Sequence, residues 1–122
     1  MTLSQLLKFC HLSQFEFAFH LEISTVHVWR LLTNRSQISA KILAAIVSGL
    51  SCKATPQANG GFDFLPLSGM PGSLSFLKCS SPELRAAQIQ AARPVVKIAC
   101  ENRKNFLKAT RESHANFGGL KS

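Results

Sequence analysis

The stretch LSQFEFAFHLEISTVHVWRLL, residues 12–32, contains two helix-start signals with almost no spacer between them. Ser13 is followed three residues later by Glu16, the reciprocal capping arrangement that satisfies free amide groups at the start of a helix. Ser24 repeats the signal, because a serine side chain accepts a hydrogen bond from the first free amides of a helix. With the apolar stripes on either side, this stretch predicts four or five short helices between residues 2 and 50.

Apolar side chains recur through this region at three- and four-residue spacing, which is the period of a buried helix face. The predicted buried stripes contain Leu3, Leu6, Leu7, Phe17, Ala18, Leu21, Val28, Leu31 and Leu32. Asn34 is a stop signal, since asparagine tolerates the left-handed conformation that ends helices. Ser39 begins a further helix that closes at Gly49. The first part of the chain is therefore predicted to be helical throughout.

Residues 54–81 differ in composition from the helical region before them. The turn-rich segments ATPQANGG and GMPG bracket short apolar runs. Phe62 and Phe64 alternate with other residues, and so do Leu74 and Phe76, as residues of half-buried strands do. We therefore predict two strands joined by LSGMPGS, as a short β-hairpin or an ordered apolar arm. A flexible linker is the alternative, and the phenylalanines weigh against it.

A helical pattern returns after Ser81, which is followed by a first-turn proline and by Glu83, an acid that the helix dipole favours. Pro94 is predicted to break or kink this helix, because its ring clashes with the preceding turn. A second amphipathic helix then runs over residues 95–112, with a basic outer face. The tail HANFGGLKS is predicted to be frayed.

Net charge narrows the classes of partner. The 122 residues include 14 Lys plus Arg against 6 Asp plus Glu, which gives +8 and a pI near 9.9. Such a field attracts polyanions, meaning nucleic acid or an acidic membrane or protein surface. A basic protein without a polyanionic partner is the alternative. The length suits one compact domain or a small domain with an appendage, and the 46% hydrophobic content argues against wholesale disorder.

The cysteines and apolar runs indicate a cytoplasmic protein. Cys10, Cys52, Cys79 and Cys100 lie far apart without a CxxC pair, so we interpret them as small core side chains in a reducing compartment. The longest apolar run, ILAAIV, is too short to span a bilayer, and the beginning of the chain lacks the pattern of a signal peptide. We therefore expect no membrane partner.

Signals for catalysis are weak. The six carboxylates are scattered, and neither a GxSxG nor a P-loop motif is present. His11, His20 and His114 lack the spacing of metal ligands. We expect no enzyme activity, no catalytic residues, no metal site and no cofactor.

Residues 12–51 resemble the helix-turn-helix of the Cro/phage-repressor family of DNA-binding domains, often called XRE-like. The family pattern runs L-[ST]-Q-x-E-[LF]-A, a hydrophobic residue, a turn, [VI]-S, three variable positions, [IV], and an apolar position three further on. The residues that match it, without a gap, are Leu12, Ser13, Gln14, Glu16, Phe17, Ala18, Leu21, Ile23, Ser24, Val28 and Leu31. Glu22 departs from the pattern, because it stands where the family usually has glycine and must become left-handed or reshape the turn. Trp29 departs as well, since the family often has its tryptophan at the position of Leu31.

The sequence patterns predict a mainly α fold in three segments. By the resemblance, residues 1–53 would form a four- or five-helix helix-turn-helix domain of lambda-repressor-like type. Residues 54–81 would follow as the linker, β-hairpin or apolar arm. Residues 82–122 would form a C-terminal helical region that dimerises or binds a partner.

Helical geometry gives the second helix of this unit an outward face. With Val28 and Leu31 inward at 100° per residue, the side chains of Val26, Arg30 and Thr33 point the opposite way. In a major groove, Arg30 could fork onto guanine or phosphate, whereas Val26 could meet a thymine methyl group. By family resemblance, Gln14 would contact the DNA backbone. The predicted DNA-binding residues are Gln14, Ser24, Thr25, Val26, His27, Trp29, Arg30, Thr33, Asn34, Arg35 and Lys41. Arg30 could instead be a solvated charge, and Trp29 could cover its own core or a partner subunit.

The resemblance implies a sequence-specific transcriptional regulator of a bacterium, phage or mobile element, a repressor rather than an activator. It would bind double-stranded DNA at a palindromic operator as a homodimer, in the cytoplasm and associated with the nucleoid. The candidate dimer or partner contacts are Phe62, Phe64, Leu74, Phe76, Val96, Phe106 and Leu107. The alternative is a protein-interaction module of antitoxin or anti-repressor type, whose residues 54–122 bind a protein partner.

Overall fold

Short helices lead into a small sheet, and one long helix follows. The computed structural model describes residues 1–67 and 81–121, with side chains described as far as Arg111. The elements of this part are α1 Leu3–Phe9, α2 Gln14–Leu21, α3 Thr25–Leu32, α4 Ala40–Gly49, β1 Cys52–Pro56, β2 Phe62–Pro66 and α5 Pro82–Lys121. The fold is mainly α with a two-stranded antiparallel sheet, as the sequence predicts at this level.

Hydroxyl side chains begin the helices, at Ser13, Ser24 and Ser39 as the sequence predicts and at Thr2 in addition. The residues that cap α1 to α4 by accepting a backbone amide three positions on are Thr2, Ser13, Ser24 and Ser39. At α2 the capping box is complete: the Glu16 amide donates to Ser13 Oγ at 3.1 Å, and the Ser13 amide donates to the Glu16 carboxylate at 3.4 Å. Ser81 Oγ accepts the Leu84 amide at 3.2 Å and caps α5. Local sequence therefore fixes where each helix starts.

The turn between α2 and α3 uses a left-handed glutamate. Glu22 has φ 58° and ψ 41°, and its amide donates to the last carbonyl groups of α2. The Ile23 amide then returns to the Ala18 carbonyl at 3.1 Å. The sequence left two alternatives for Glu22, a left-handed conformation or a reshaped turn, and the left-handed conformation is correct. This conformation costs a residue with a side chain roughly 1 kcal/mol or more. Asn34, the predicted stop signal after α3, is also left-handed with φ 57°.

One apolar core joins the early helices, the sheet and the long helix. Its largest fully buried side chains are Phe17, Phe64, Leu6, Leu43, Ile46, Leu50, Val28 and Cys52. Ala92 and Ala99 of α5 are buried in the same cluster, where small side chains let α5 lie close to α4. Core residues therefore come from each of the three predicted segments.

The predicted hairpin has a different partner strand. β2 contains the predicted alternation of Phe62 and Phe64, but it pairs with Cys52–Pro56, which places Ala54 opposite Phe64. The other edge of β2 is also occupied, because the Phe64 amide donates to the Met1 carbonyl at 2.8 Å. β2 therefore has a partner strand that the sequence did not predict, whereas the predicted second strand with Leu74 and Phe76, and the turn that would lead to it, lie outside the described residues.

Phe62 and Phe64 were also predicted to contact a partner, and burial contradicts this. Their side chains are 6% and 1% exposed and face the core of their own chain. Their rings lie 6.1 Å apart, centroid to centroid. A residue with no accessible surface has nothing to offer a second molecule, so both are core residues.

The long helix differs from prediction at two points. Of the predicted break or kink at Pro94, the break is absent, because α5 continues through this residue although proline removes one backbone donor and crowds the preceding turn. Ala92 and Ala99 are buried on either side of the proline and Val95 is half-buried, so packing offsets that local cost. The tail predicted to fray is helical as far as Lys121, because extending an existing helix needs no new nucleus.

The turn of the hairpin packs tightly against α5 at Gly60. This residue has φ +88°, and a Cβ added to it would lie 2.3 Å from Arg103 Cβ and 2.8 Å from Arg103 Cα. Nearby, the Asn102 side-chain amide donates to the Gln57 carbonyl at 3.0 Å. Only glycine fits both the conformation and the space.

Replacement of Gly60 by alanine should lower the free energy of unfolding by about 2 to 3 kcal/mol, from left-handed strain and the displaced helix backbone. Urea denaturation followed by circular dichroism measures the loss. Gly61→Ala is the matched control, because its nearest neighbour is the Asn59 side-chain oxygen at 3.2 Å, which can move. Equal losses in the two variants would show that the contact with Arg103 is not the cause.

Candidate nucleic-acid interface

Helix α3 has a buried side and an outward side, in the register that the sequence predicts. Val28 is 0% and Leu31 is 5% exposed, so these two side chains fix α3 to the core. Val26 and Trp29 are 58% and 44% exposed on the outward side, and Arg30 is exposed with them. The apolar outward side chains are not explained by contacts within the core.

Every residue predicted to contact DNA is exposed. These residues are Gln14, Ser24, Thr25, Val26, His27, Trp29, Arg30, Thr33, Asn34, Arg35 and Lys41. All but Gln14 and Lys41 lie in the continuous stretch from the cap of α3 to the loop after it. Gln14 opens α2, which packs against α3, and Lys41 lies in the first turn of α4. We call this set the α3 surface.

The charge of the α3 surface has one sign. Arg30, Arg35 and Lys41 are its charged residues, and none of its members is acidic. The start of α3 adds a partial positive charge, because Ser24 caps the His27 amide while the amides before it have no partner within the helix. The surface can therefore attract and hold an anion such as a phosphate group.

An arginine–tryptophan stack closes the end of α3. The Arg35 guanidinium carbon lies 4.8 Å from the centroid of the Trp29 ring, over its face. The backbone makes this return possible, because the Arg35 amide donates to the Arg30 carbonyl at 2.8 Å. Such a contact contributes about 0.5 to 1 kcal/mol at an exposed site. Among the roles left open for Trp29, the structure therefore shows a contact with its own chain that still leaves the ring half exposed.

The loop after α3 is held from behind by the hairpin turn and by α5. Arg103 Nη2 donates to the Arg35 carbonyl at 3.1 Å, across 68 residues of sequence. Gln37 Nε2 donates to the Gly60 carbonyl at 3.4 Å. Neither contact is predicted from the sequence, because no local pattern marks a side chain whose partner is so distant along the chain.

Helix α2 carries two exposed aromatic side chains that were not among the predicted site residues. Phe15 is 72% and Phe19 is 67% exposed. They are four residues apart, so they share one face of α2. The Phe19 ring lies edge-on to His20, with centroids 5.7 Å apart. This pair forms an apolar feature beside the α3 surface.

An apolar groove of about 450 Å³ lies between α4, β1 and α5. Its walls are formed by Leu43, Ala44, Val47, Ser48, Cys52, Lys53, Ala54, Leu67, Gln88, Ala91, Ala92 and Val95.

Burial raises the pKa of the Cys52 thiol to about 11, and the neighbouring Cys10 adds to the shift. Cys52 therefore stays protonated near neutral pH, as a small core side chain. Cys10, Cys52 and Cys100 form no disulfide bond with one another.

The described residues contain neither a cluster of metal ligands nor a membrane-spanning helix. Within residues 1–67 and 81–121, no three side chains of His, Cys, Asp or Glu come together as metal ligands would. None of the helices in the same ranges is both long enough and apolar enough to cross a bilayer.

Comparisons of the chain with protein-family models, with curated proteins and with solved structures find no match. The functional assignment therefore depends on the residues and geometry of the chain itself.

Proposed function

We propose that this chain is a sequence-specific DNA-binding regulator of transcription in a bacterium, phage or mobile element, and a repressor rather than an activator. The observation that carries the proposal is the outward side of α3, where Val26 and Arg30 are exposed opposite the buried Val28 and Leu31. The resemblance of residues 12–51 to the helix-turn-helix of lambda-repressor-like domains supports the same assignment.

The chemistry of the α3 surface suits a major groove. An α-helix fits that groove, where arginine forks onto guanine and small apolar groups meet the thymine methyl group. Arg30 is suited to the first role, and Thr25 and Val26 to the second. Gln14 at the start of α2, with Arg35 and Lys41, would contact phosphates and fix the orientation.

We propose a symmetric dimer on a palindromic site. Half-sites would lie roughly 10 base pairs apart, centre to centre, or a multiple of that distance. Among the candidate dimer contacts, Phe106 and Leu107 remain available, since each is 48% exposed, whereas Val96 is half-buried against the core. Selection of bound duplexes from a random pool tests the proposal, because a recovered palindrome gives specificity, symmetry and spacing together. Recovery of no preferred sequence would contradict it.

Two arginines of the α3 surface should respond differently to truncation. Arg30→Ala should weaken binding about tenfold and relax the preference at one base pair, since a lost guanine contact removes discrimination. Arg35→Ala should weaken binding to all sequences alike, because phosphate contacts do not depend on the base. Fluorescence anisotropy with the selected duplex, its single-base variants and a random duplex measures both effects. Identical behaviour of the two variants would show that these contacts are assigned wrongly.

A protein-interaction module is the second candidate, and the exposed aromatic pair of α2 favours it. Phe15 and Phe19 present an apolar face that DNA contacts do not require. An affinity pull-down at physiological salt, with and without nuclease, separates the two functions. A partner that survives nuclease treatment and is lost in a Phe15→Ser, Phe19→Ser variant supports this candidate. A partner lost on nuclease treatment supports DNA binding.

A further inference from the structure

The α3 surface is fixed in part by a residue that does not belong to it. The Arg103 side chain leaves the middle of α5 and donates from Nη2 to the Arg35 carbonyl at 3.1 Å. Arg35 in turn places its guanidinium over Trp29 of α3. Arg103 therefore connects the C-terminal helix to the backbone of Arg35, whose own side chain lies against Trp29 at the exposed end of α3.

The stem of Arg103 is constrained where it leaves α5. Gly60 approaches so closely that a Cβ on it would lie within 2.9 Å of the Cα, Cβ and Cγ atoms of Arg103. Gln37 ties the loop after α3 to the same glycine through its carbonyl group. Because the hairpin turn limits the side-chain freedom of Arg103, its hydrogen bond to the loop costs little additional ordering.

We infer that Arg103 is a positioning residue for DNA binding: by holding the Arg35 carbonyl, it keeps the Arg35 guanidinium over Trp29 and ready to meet a phosphate. This inference rests on the proposed function. It gives α5 a regulatory role, since any change that moves Arg103 changes the DNA affinity of the α3 surface. Arg103 itself is not assigned as a DNA contact, because Nη2 donates to a carbonyl of its own chain and Nη1 is buried.

The DNA arm of the test compares Arg103→Met with the wild-type chain on the selected duplex. Methionine keeps an apolar stem and removes the donor, so affinity should fall about five- to tenfold, as for a lost charge-assisted hydrogen bond. The slope of log affinity against log salt should fall by no more than it does in Arg35→Ala, because the phosphate contact of Arg35 is the one that is weakened. In an Arg35→Ala background, Arg103→Met should have no further effect on affinity or slope. A slope lowered by about one more per protomer in that background would overturn the inference, since Arg103 would then contact phosphate directly.

The matched control is Lys104→Met, which removes one positive charge from the next residue of α5. Lys104 is exposed, and its side chain leaves the helix about 100° away from that of Arg103. It should leave the affinity for the selected duplex within about twofold, because a single remote surface charge contributes little. Arg103→Lys keeps the charge and one donor, and it should recover part of the lost affinity. An equal loss in Lys104→Met and Arg103→Met would overturn the inference by reducing it to net charge.

The second arm needs no DNA. Trp29 is the only tryptophan, and the chain has no tyrosine, so emission excited at 295 nm reports on this stack alone. Arg103→Met and Arg35→Ala should both increase quenching of Trp29 by acrylamide, whereas Lys104→Met should not. Circular dichroism shows whether each variant is folded. If Arg103→Met does not fold, Arg103→Lys replaces it and should show a smaller increase in acrylamide quenching of Trp29. Unchanged quenching in the folded Arg103 variants would overturn the inference. A chain that binds no duplex but shows these quenching changes would refute the proposed function and leave the link between Arg103 and Trp29 intact.

Discussion

Replacing Phe64 with alanine is expected to lower the free energy of unfolding by about 3 to 5 kcal/mol, because the change leaves a large cavity in a closed core. The Phe64 side chain is 1% exposed and lies beside Phe62. Strand β2 pairs with β1 on one edge, and on the other edge the Phe64 amide donates to the Met1 carbonyl. Urea denaturation, followed by circular dichroism and by Trp29 fluorescence, measures the loss and shows whether both probes report one transition.

The neighbouring residue provides the control. Leu65 follows Phe64 on the same strand but points to the opposite face, where it is 59% exposed. Leu65→Ala should therefore change stability by no more than about 0.5 kcal/mol. If Phe64→Ala lowered the free energy of unfolding as little as Leu65→Ala does, the hairpin would not be part of the cooperative core. Unfolding transitions of the wild-type chain that differ between the two probes would mean the same.

Elements that depend on neighbours in sequence could be predicted. The capping box of Ser13 and Glu16 satisfies amides within one turn, so its two residues are sufficient to identify the start of α2. The same holds for the register of α3, because a helix has a fixed 100° step and Val28 and Leu31 define its inward side. The exposed members of the α3 surface follow from that step.

Elements that depend on distant partners could not be predicted. β1 has a weak alternation signal, because its inward residues are the small Cys52 and Ala54, and turn residues follow directly. The sequence therefore showed a strand at β2 without showing its true partner. The contact of Arg103 with Arg35 spans 68 residues, and only the folded core brings α5 to the loop after α3. Packing of Ala92 and Ala99 likewise outweighs the helix-breaking tendency of Pro94.

Raising the salt concentration from 50 to 200 mM is expected to weaken DNA binding by about three to five orders of magnitude, if a dimer contacts six to ten phosphates. The physical reason is the release of condensed counterions, which opposes binding more strongly as bulk salt rises. In each protomer, Arg35 and Lys41 are the basic side chains assigned to phosphates, together with the starts of α2 and α3. Anisotropy titrations of a labelled duplex at four or more salt concentrations give the slope.

Two variants of equal charge distinguish contact from general attraction. Arg35→Ala should reduce the slope by about one per protomer, because one phosphate contact is lost. Lys8→Ala removes the same charge from the exposed side of α1, outside the α3 surface, and should leave the slope unchanged. Equal reductions in the two variants would mean that binding responds to net charge alone. An affinity that does not change with salt would mean that the basic residues of the α3 surface make no phosphate contacts, and would favour the protein-interaction function through Phe15 and Phe19.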